Sequence, residues 1–223
     1  MPVRKVSFVS GEFYHVYNRG NSRQEIFHSQ TDYDRFSALL YAANGAASID
    51  SREVSLEDMF TFDRGEQQVA IGAYCLMPNH FHILVTPLVE GGLITFMRKL
   101  ATGYSMYFNK KHHRTGSLFE GRFKSEHVNN DNHLKYLFSY IHLNPVKLIQ
   151  SKWQQEGIKD TEVVLQYLQD FRHSSYVDND KIRPESVILN RSKFPEYFSN
   201  KKAYDTEMKE WLSLKETDPK DQP

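Results

Sequence analysis

Hydrophobic and polar positions alternate in steps of two along "EFYHVYNRGN". Phe13, His15 and Tyr17 take one side and Tyr14 and Val16 the other, before Asn18-Arg19-Gly20-Asn21 signals a turn. The period then lengthens. From Thr31, read as an N-cap, Tyr33, Phe36, Leu39, Leu40 and Ala43 fall at helical spacing, and Asn44-Gly45 ends the run. Two apolar strands follow, "QVAIGAYCLM" and "HFHILVTP", joined through Pro78-Asn79 as a tight return or as one bent strand. After Gly91-Gly92, Leu93, Phe96, Met97, Leu100, Tyr104 and Tyr107 form one helical stripe. "GSLFEGRFKSEHV" reads as a hairpin with Glu120-Gly121 at its tip. Asp131 is read as the cap of the helix "NHLKYLFSYIHLNPVKLI", which Pro145 should end near Leu143–Asn144. The order of elements predicts an α+β fold with an antiparallel sheet packed against helices.

Beyond Trp153 the pattern is helical again: Thr161–Phe171, then a loop "HSSYVDNDKIRP", then short stretches near Pro195–Phe198 and Ala203–Leu214. The expected organisation is a unit over residues 1–152 and a helical C-terminal extension over 153–223, whose tail "KETDPKDQP" is expected to be disordered. Residues 45–66 read as an acidic insertion, with a short helix around Ser55–Phe60.

At 223 residues the chain can bury a sizeable core, and 39% hydrophobic with 25% charged residues is ordinary for a globular protein. No apolar run approaches a membrane span, and the N-terminus lacks the apolar segment of a signal peptide. A lone Cys75 in an apolar run fits a reducing, intracellular compartment and a buried small residue. Net charge is zero, but its distribution is uneven. Residues 50–66 carry two basic and six acidic side chains, whereas residues 96–152 carry ten basic against three acidic. Tyr104, Tyr107, Phe108, Phe119 and Phe123 are interleaved with that basic block, which suits either a polyanion site or a solvated helix face over core aromatics.

Two motifs carry chemistry. In a strand, His80 and His82 point the same way and Phe81 the other, so two imidazoles about 7 Å apart along the strand can converge on one divalent cation. The same pattern also arises on the polar face of a half-exposed strand. In "YIHLNP", Tyr140 and Asn144 are four apart and share one helix face. A phenol can attack phosphorus and an amide oxygen can ligate a metal, but a core tyrosine and a capping asparagine would look alike.

Taken together, "YHVYNRGNSRQEIF", "MPNHFHILV", "GSLFEGRFKS", "YIHLNPVK" and "RHSSY" resemble, in this order, the signature blocks of single-tyrosine HUH transposases (the IS200-like transposases). They are most similar to the REP-associated tyrosine transposase branch and span residues 13–176. The resemblance implies a ferredoxin-like or RRM-like sheet and a metal-dependent enzyme that cuts and rejoins single-stranded DNA near a hairpin through a 5′-phosphotyrosine. It implies His80, His82 and Asn144 as ligands of Mg²⁺ or Mn²⁺, and Tyr140 as nucleophile. DNA contacts are then expected from Arg122, Lys124, Arg19, Lys110, Lys111 and Arg114. A monomer or homodimer, without membrane attachment, in the cytoplasm at the nucleoid, would follow. The acidic insertion is longer than the family leads one to expect, and the segment after Tyr176 matches none of its blocks. Two rival readings remain: an HUH replication-type nickase, and a domesticated DNA- or RNA-binding module without catalysis. A β/α-barrel metallohydrolase would need about 250 residues of alternating strands and helices, which this order does not supply.

Overall fold

The computed structural model describes residues 8–47, 58–179 and 181–213. Strand β1 (Phe13–Arg19) leads to helix α1 (Gln30–Ala42), then to strands β2 (Val69–Met77) and β3 (His80–Pro87). Helix α2 (Gly92–Lys111), strand β4 (Lys124–Val128) and helix α3 (Asp131–Leu143) follow. The sheet order is β2-β3-β1-β4, with every neighbouring pair antiparallel. This βαββαβ arrangement is the α+β fold expected from the order of elements, and of the ferredoxin-like kind that the resemblance implies. Pro78-Asn79 is the tight return between β2 and β3, where Met77 pairs with His80.

The two faces of the sheet have different covers. One buries Tyr14, Val16, Tyr74, Leu76, Phe81 and Ile83 under α1 and α2, together with Phe36, Leu100 and Tyr104. The other buries Ala73, Cys75, Met77 and Leu84 beneath α3, through Leu134, Leu137 and Ile141. Because α3 covers only part of that second face, the end of the sheet near Arg19, His80 and Lys124 stays open. Period-two alternation places these residues there together, since Tyr17 pairs with both His82 and Lys124 and Arg19 pairs with His80.

Several local expectations change. The cap of α1 is Ser29, not Thr31, because Asp32 turns back to accept the backbone N–H groups of Ser29 at 3.0 Å and His28 at 2.9 Å. Asn130, not Asp131, caps α3: its Oδ1 accepts the His133 N–H at 2.7 Å. No hairpin forms at Glu120-Gly121. Phe119 bridges Gly20, the Glu120 N–H donates to the Arg19 carbonyl at 2.9 Å, and Lys124–Val128 continues along the same edge of β1. The exposed edge of β1 thus outcompetes a local turn, and residues 120–123 bulge out.

The acidic insertion is anchored by a short ladder, in which Ala46 and Ala47 donate to the Glu66 and Arg64 carbonyls. Lys99 Nζ donates to the Gly45 and Ala47 carbonyls. This base lies beside the Val69–Pro87 end of the sheet, opposite the His80 end. A 3₁₀ turn spans Asp58–Phe60, and the rest of the helix expected from Ser55 lies outside the described residues.

After α3 come the single turns α4 (Val146–Ile149) and α5 (Trp153–Glu156), helix α6 (Thr161–Asp170) and helix α7 (Lys201–Ser213). Leu143, Val146 and Trp153 share a core with Leu165, Leu168, Tyr204 and Met208. The stretch expected as a loop after α6 partly pairs with the free edge of β2. There the Leu76 N–H donates to the His173 carbonyl at 2.9 Å and the Ser175 N–H to the Tyr74 carbonyl at 3.0 Å. Pro195–Phe198 is not helical. Phe194 is instead drawn onto Gly72, where any Cβ would lie 2.8 Å from its ring, and that contact holds the chain extended against the sheet. The tail expected to be disordered falls outside the described residues.

Candidate active site

The open face collects four rings from three distant parts of the sequence. His80 and His82 come from the start of β3, with centroids 5.0 Å apart and planes at 88°. Tyr140, in the last two turns of α3, sits edge-on to His82 at 5.7 Å. One turn further, Asn144 caps α3 in helical geometry, 3% exposed, and its Nδ2 donates to the Tyr140 carbonyl at 2.9 Å. That bond occupies the amide nitrogen and leaves Oδ1 as the end able to ligate. The phenol and the histidine pair meet within one chain.

The fourth ring was not singled out from sequence. His15 on β1 is 4% exposed and stacks on His82 at 5.0 Å, with its Nε2 2.8 Å from His82 Nδ1. It also faces Tyr140 edge-on at 5.7 Å. Alternation alone puts His15 on the side of Phe13 and Tyr17. Only the β1–β3 register makes it the diagonal neighbour of His82. Tyr17 and Glu126 join from the same face, the Tyr17 phenol donating to Glu126 Oε1 at 2.9 Å.

The electrostatics suit ligands rather than cations. Burial lowers the His15 pKa to about 4, against the opposing pull of Glu126. Burial, with the charges of Lys147 and Arg19, lowers His80 to about 4. Burial drives His82 well below its ordinary value, with His15, His80 and Lys147 adding. All three imidazoles are therefore neutral at pH 7 and carry lone pairs. His80 Nδ1 lies 2.6 Å from Asn79 Oδ1, an acceptor, so the His80 proton sits on Nδ1 and Nε2 is left for a ligand. Among the described residues no three His, Cys, Asp or Glu side chains form a metal-holding group. A cation held by His80, His82 and Asn144 would have two imidazole nitrogens and one amide oxygen as donors. That donor set fits a divalent ion of the Mg²⁺–Mn²⁺ kind, imidazole favouring Mn²⁺. The Tyr140 phenol is pushed up by burial and by the Glu126 charge, with the Asn144 amide opposing, so it is protonated at rest. His142, the nearest histidine in sequence, does not serve the site: both its nitrogens bond inward, Nε2 to Ser175 Oγ at 2.7 Å and Nδ1 to the Tyr204 hydroxyl.

The basic residues divide. Lys124 is exposed on the site face, opposite Tyr17. Arg122 is exposed in the bulge beside it. Arg19 reaches the rim but forms a two-point ion pair with Glu120. Lys110, Lys111 and Arg114 lie at the end of α2, under the opposite face of the sheet. There Lys111 Nζ is bound to Asp32 at 2.7 Å and to the Ser29, Thr31 and Tyr107 oxygens, and Arg114 lies over the Phe108 ring. Lys147, not chosen from sequence, is exposed one turn past Asn144, and its charge acts on both His80 and His82.

A helix-borne phenol thus stands beside paired strand histidines on the open face of a ferredoxin-like sheet. The family described as "Transposase IS200 like" matches residues 9–144, well over half of the sequence. The chain belongs to that family. No curated protein matches it. Among solved structures, a REP-associated tyrosine transposase bound to a REP hairpin shares the fold with a TM-score of 0.50 at 16% identity, covering 80% of this chain and 85% of that one. No helix among the described residues is long and apolar enough to cross a membrane.

Proposed function

We propose that this transposase cleaves and rejoins single-stranded DNA beside a hairpin, with Tyr140 as nucleophile and a divalent cation held by His80, His82 and Asn144. The observation that carries the reading is the approach of the Tyr140 ring to the His82 ring within one chain. The bound cation would supply Lewis-acid polarisation of a non-bridging phosphate oxygen and charge compensation for the departing 3′-oxygen. Tyr140 attacks phosphorus in line. Its phenolic proton leaves to solvent, a new phenol–phosphate ester forms, and the P–O3′ bond breaks, the departing 3′-oxygen taking a proton from solvent to become a free 3′-hydroxyl. Because the ester retains the bond, a second 3′-hydroxyl can displace Tyr140 without an external energy source.

Lys124, Arg122 and Lys147 border this site and are the assigned phosphate contacts, with Arg19 available once Glu120 is displaced. Lys111 stays with Asp32. The hairpin preference is drawn from the REP-associated structural relative, whose ligand is a REP hairpin. Residues 1–152 form the catalytic unit and residues 153–223 an extension, whose helix α7 packs against α3. A single chain suffices for the chemistry, which takes place wherever the cell keeps its DNA.

The test is a covalent-adduct assay with labelled hairpin-bearing single strands from the flanking DNA, in Mn²⁺ or Mg²⁺. An adduct should form and disappear with chelator and in Tyr140→Phe, while Tyr136→Phe retains it. Loss in Tyr136→Phe with retention in Tyr140→Phe would refute the assignment. Tight binding without cleavage by the unmodified protein would leave a binding module instead.

A further inference from the structure

The cluster behind the histidine pair has no part in the chemistry above. His15 Nε2 lies 2.8 Å from His82 Nδ1, and on its other side His15 Nδ1 faces Glu126 Oε2 at 3.9 Å. Glu126 is held from Oε1 by the Tyr17 phenol at 2.9 Å. The register explains the chain of contacts. Glu126 pairs with His15 across β1–β4, Tyr17 pairs with His82 across β1–β3, and His15 reaches His82 on the diagonal.

A neutral imidazole has one N–H and one lone pair, so the 2.8 Å contact admits two arrangements. If His15 donates from Nε2, His82 accepts at Nδ1 and its own proton sits on Nε2, the only nitrogen left for a cation. If His82 donates from Nδ1, its Nε2 lone pair is free, and the His15 proton sits on Nδ1, facing Glu126. A carboxylate only accepts, so Glu126 favours the second arrangement and opposes the first, in which a lone pair would face it. Asn79 Oδ1 acts on His80 in the same way, from 2.6 Å.

We infer that His15, oriented by Glu126 and Tyr17, is a positioning residue that holds His82 in its Nδ1–H tautomer and so keeps the Nε2 lone pair available to the cation. The inference rests on the metal reading of His80, His82 and Asn144. Partners behind a ligating histidine orient the ring and raise its basicity, and losing one typically weakens metal binding about 10–100-fold.

The experiment uses the full chain and two readouts other than turnover. Mn²⁺ is titrated in by calorimetry and EPR, and imidazole ¹⁵N NMR reads which nitrogen of His82 carries the proton. The unmodified protein should bind Mn²⁺ and show His82 protonated on Nδ1. His15→Phe fills the space without an acceptor and should bind Mn²⁺ about 10–100-fold more weakly. His15→Gln offers an amide oxygen and should restore most of the affinity. Glu126→Gln should shift the His82 tautomer toward Nε2–H. If His15→Phe fails to fold by circular dichroism, Glu126→Gln and the NMR of the unmodified protein decide. Unmodified protein with the His82 proton on Nε2, or folded His15→Phe with unchanged Mn²⁺ affinity, overturns the inference. No Mn²⁺ binding by the unmodified protein, with His82 still on Nδ1, would sink the metal reading while leaving the tautomer control of His15 standing.

Discussion

Replacing Tyr204 by Phe removes one oxygen from a buried hydrogen-bond chain that ties α3 to the rest of the molecule. The Tyr74 N–H donates to Ser175 Oγ at 2.8 Å, and Ser175 Oγ bonds His142 Nε2 at 2.7 Å. His142 Nδ1 bonds the Tyr204 hydroxyl, which donates to the Phe138 carbonyl at 3.1 Å. With that proton on Phe138, the hydroxyl accepts from His142 Nδ1–H, and Ser175 Oγ, which also lies 3.2 Å from the Tyr74 carbonyl, donates to His142 Nε2. Without the hydroxyl, His142, only 2% exposed, keeps a ring nitrogen with no partner. An orphaned buried polar group costs about 1–3 kcal/mol, and the missing oxygen is too small to leave a cavity that adds much. Re-tautomerising His142 limits the loss without abolishing it, because either tautomer leaves Nδ1 unbonded. Urea unfolding should show the midpoint lowered at an unchanged m-value, and the melting temperature should fall by about 2–4 °C per kcal/mol. The His142→Leu, Tyr204→Phe double variant should lose less than the sum of the single ones, because their partners are shared. Stability of Tyr204→Phe within about 0.3 kcal/mol of the parent, or strict additivity in the double variant, would refute the directed chain.

Acid should unfold the protein partly through the same residue. Burial lowers the His142 pKa to about 3, while in the unfolded chain it is about 6.5. The unfolded state therefore takes up the proton first as pH falls through 6.5. Stability from this group is complete above 6.5 and declines toward 3, by at most about 1.4 kcal/mol per pH unit. Urea titrations from pH 7 to 4 should give a shallower slope for His142→Gln, and an identical slope would show that the buried ring does not contribute. The basic residues should separate by role. Lys111→Met strands the wholly buried Asp32 carboxylate without its ammonium partner and should cost about 3 kcal/mol in urea unfolding, with no change in the salt dependence of DNA binding. Lys124→Ala should leave stability untouched and reduce the slope of log K against log salt by about 0.7 on single-stranded DNA; an unchanged slope would remove Lys124 from the phosphate track.

Local periodicity already determined a good deal. A period of two placed His80 and His82 on one face, and a period near 3.6 placed Tyr140 and Asn144 on another, because side-chain direction along a strand or helix is set by backbone geometry alone. The order of most strands and helices and the end of α3 before Pro145 were legible for the same reason, whereas Pro78-Asn79 could be read as a break but not as a tight return. Cap positions slipped by one or two residues. Asp32 and Asn130 each chose among several nearby N–H groups, and only the folded loop resolved that choice.

What the tertiary structure alone decided depends on pairing across long separations. His15 meets His82 67 residues away, and Ser175 meets Tyr74 101 residues away. No local pattern encodes a diagonal register or which segment will take a free sheet edge. For that reason the expected hairpin at Glu120 became a strand along β1, and the expected loop at His173–Ser175 became a brace on β2. Lys111, one member of a basic block in the sequence, found Asp32 79 residues away. Spacing could put His80 with His82 on one face and Tyr140 with Asn144 on another, but the groups that pack around them come together only when the chain closes its long loops.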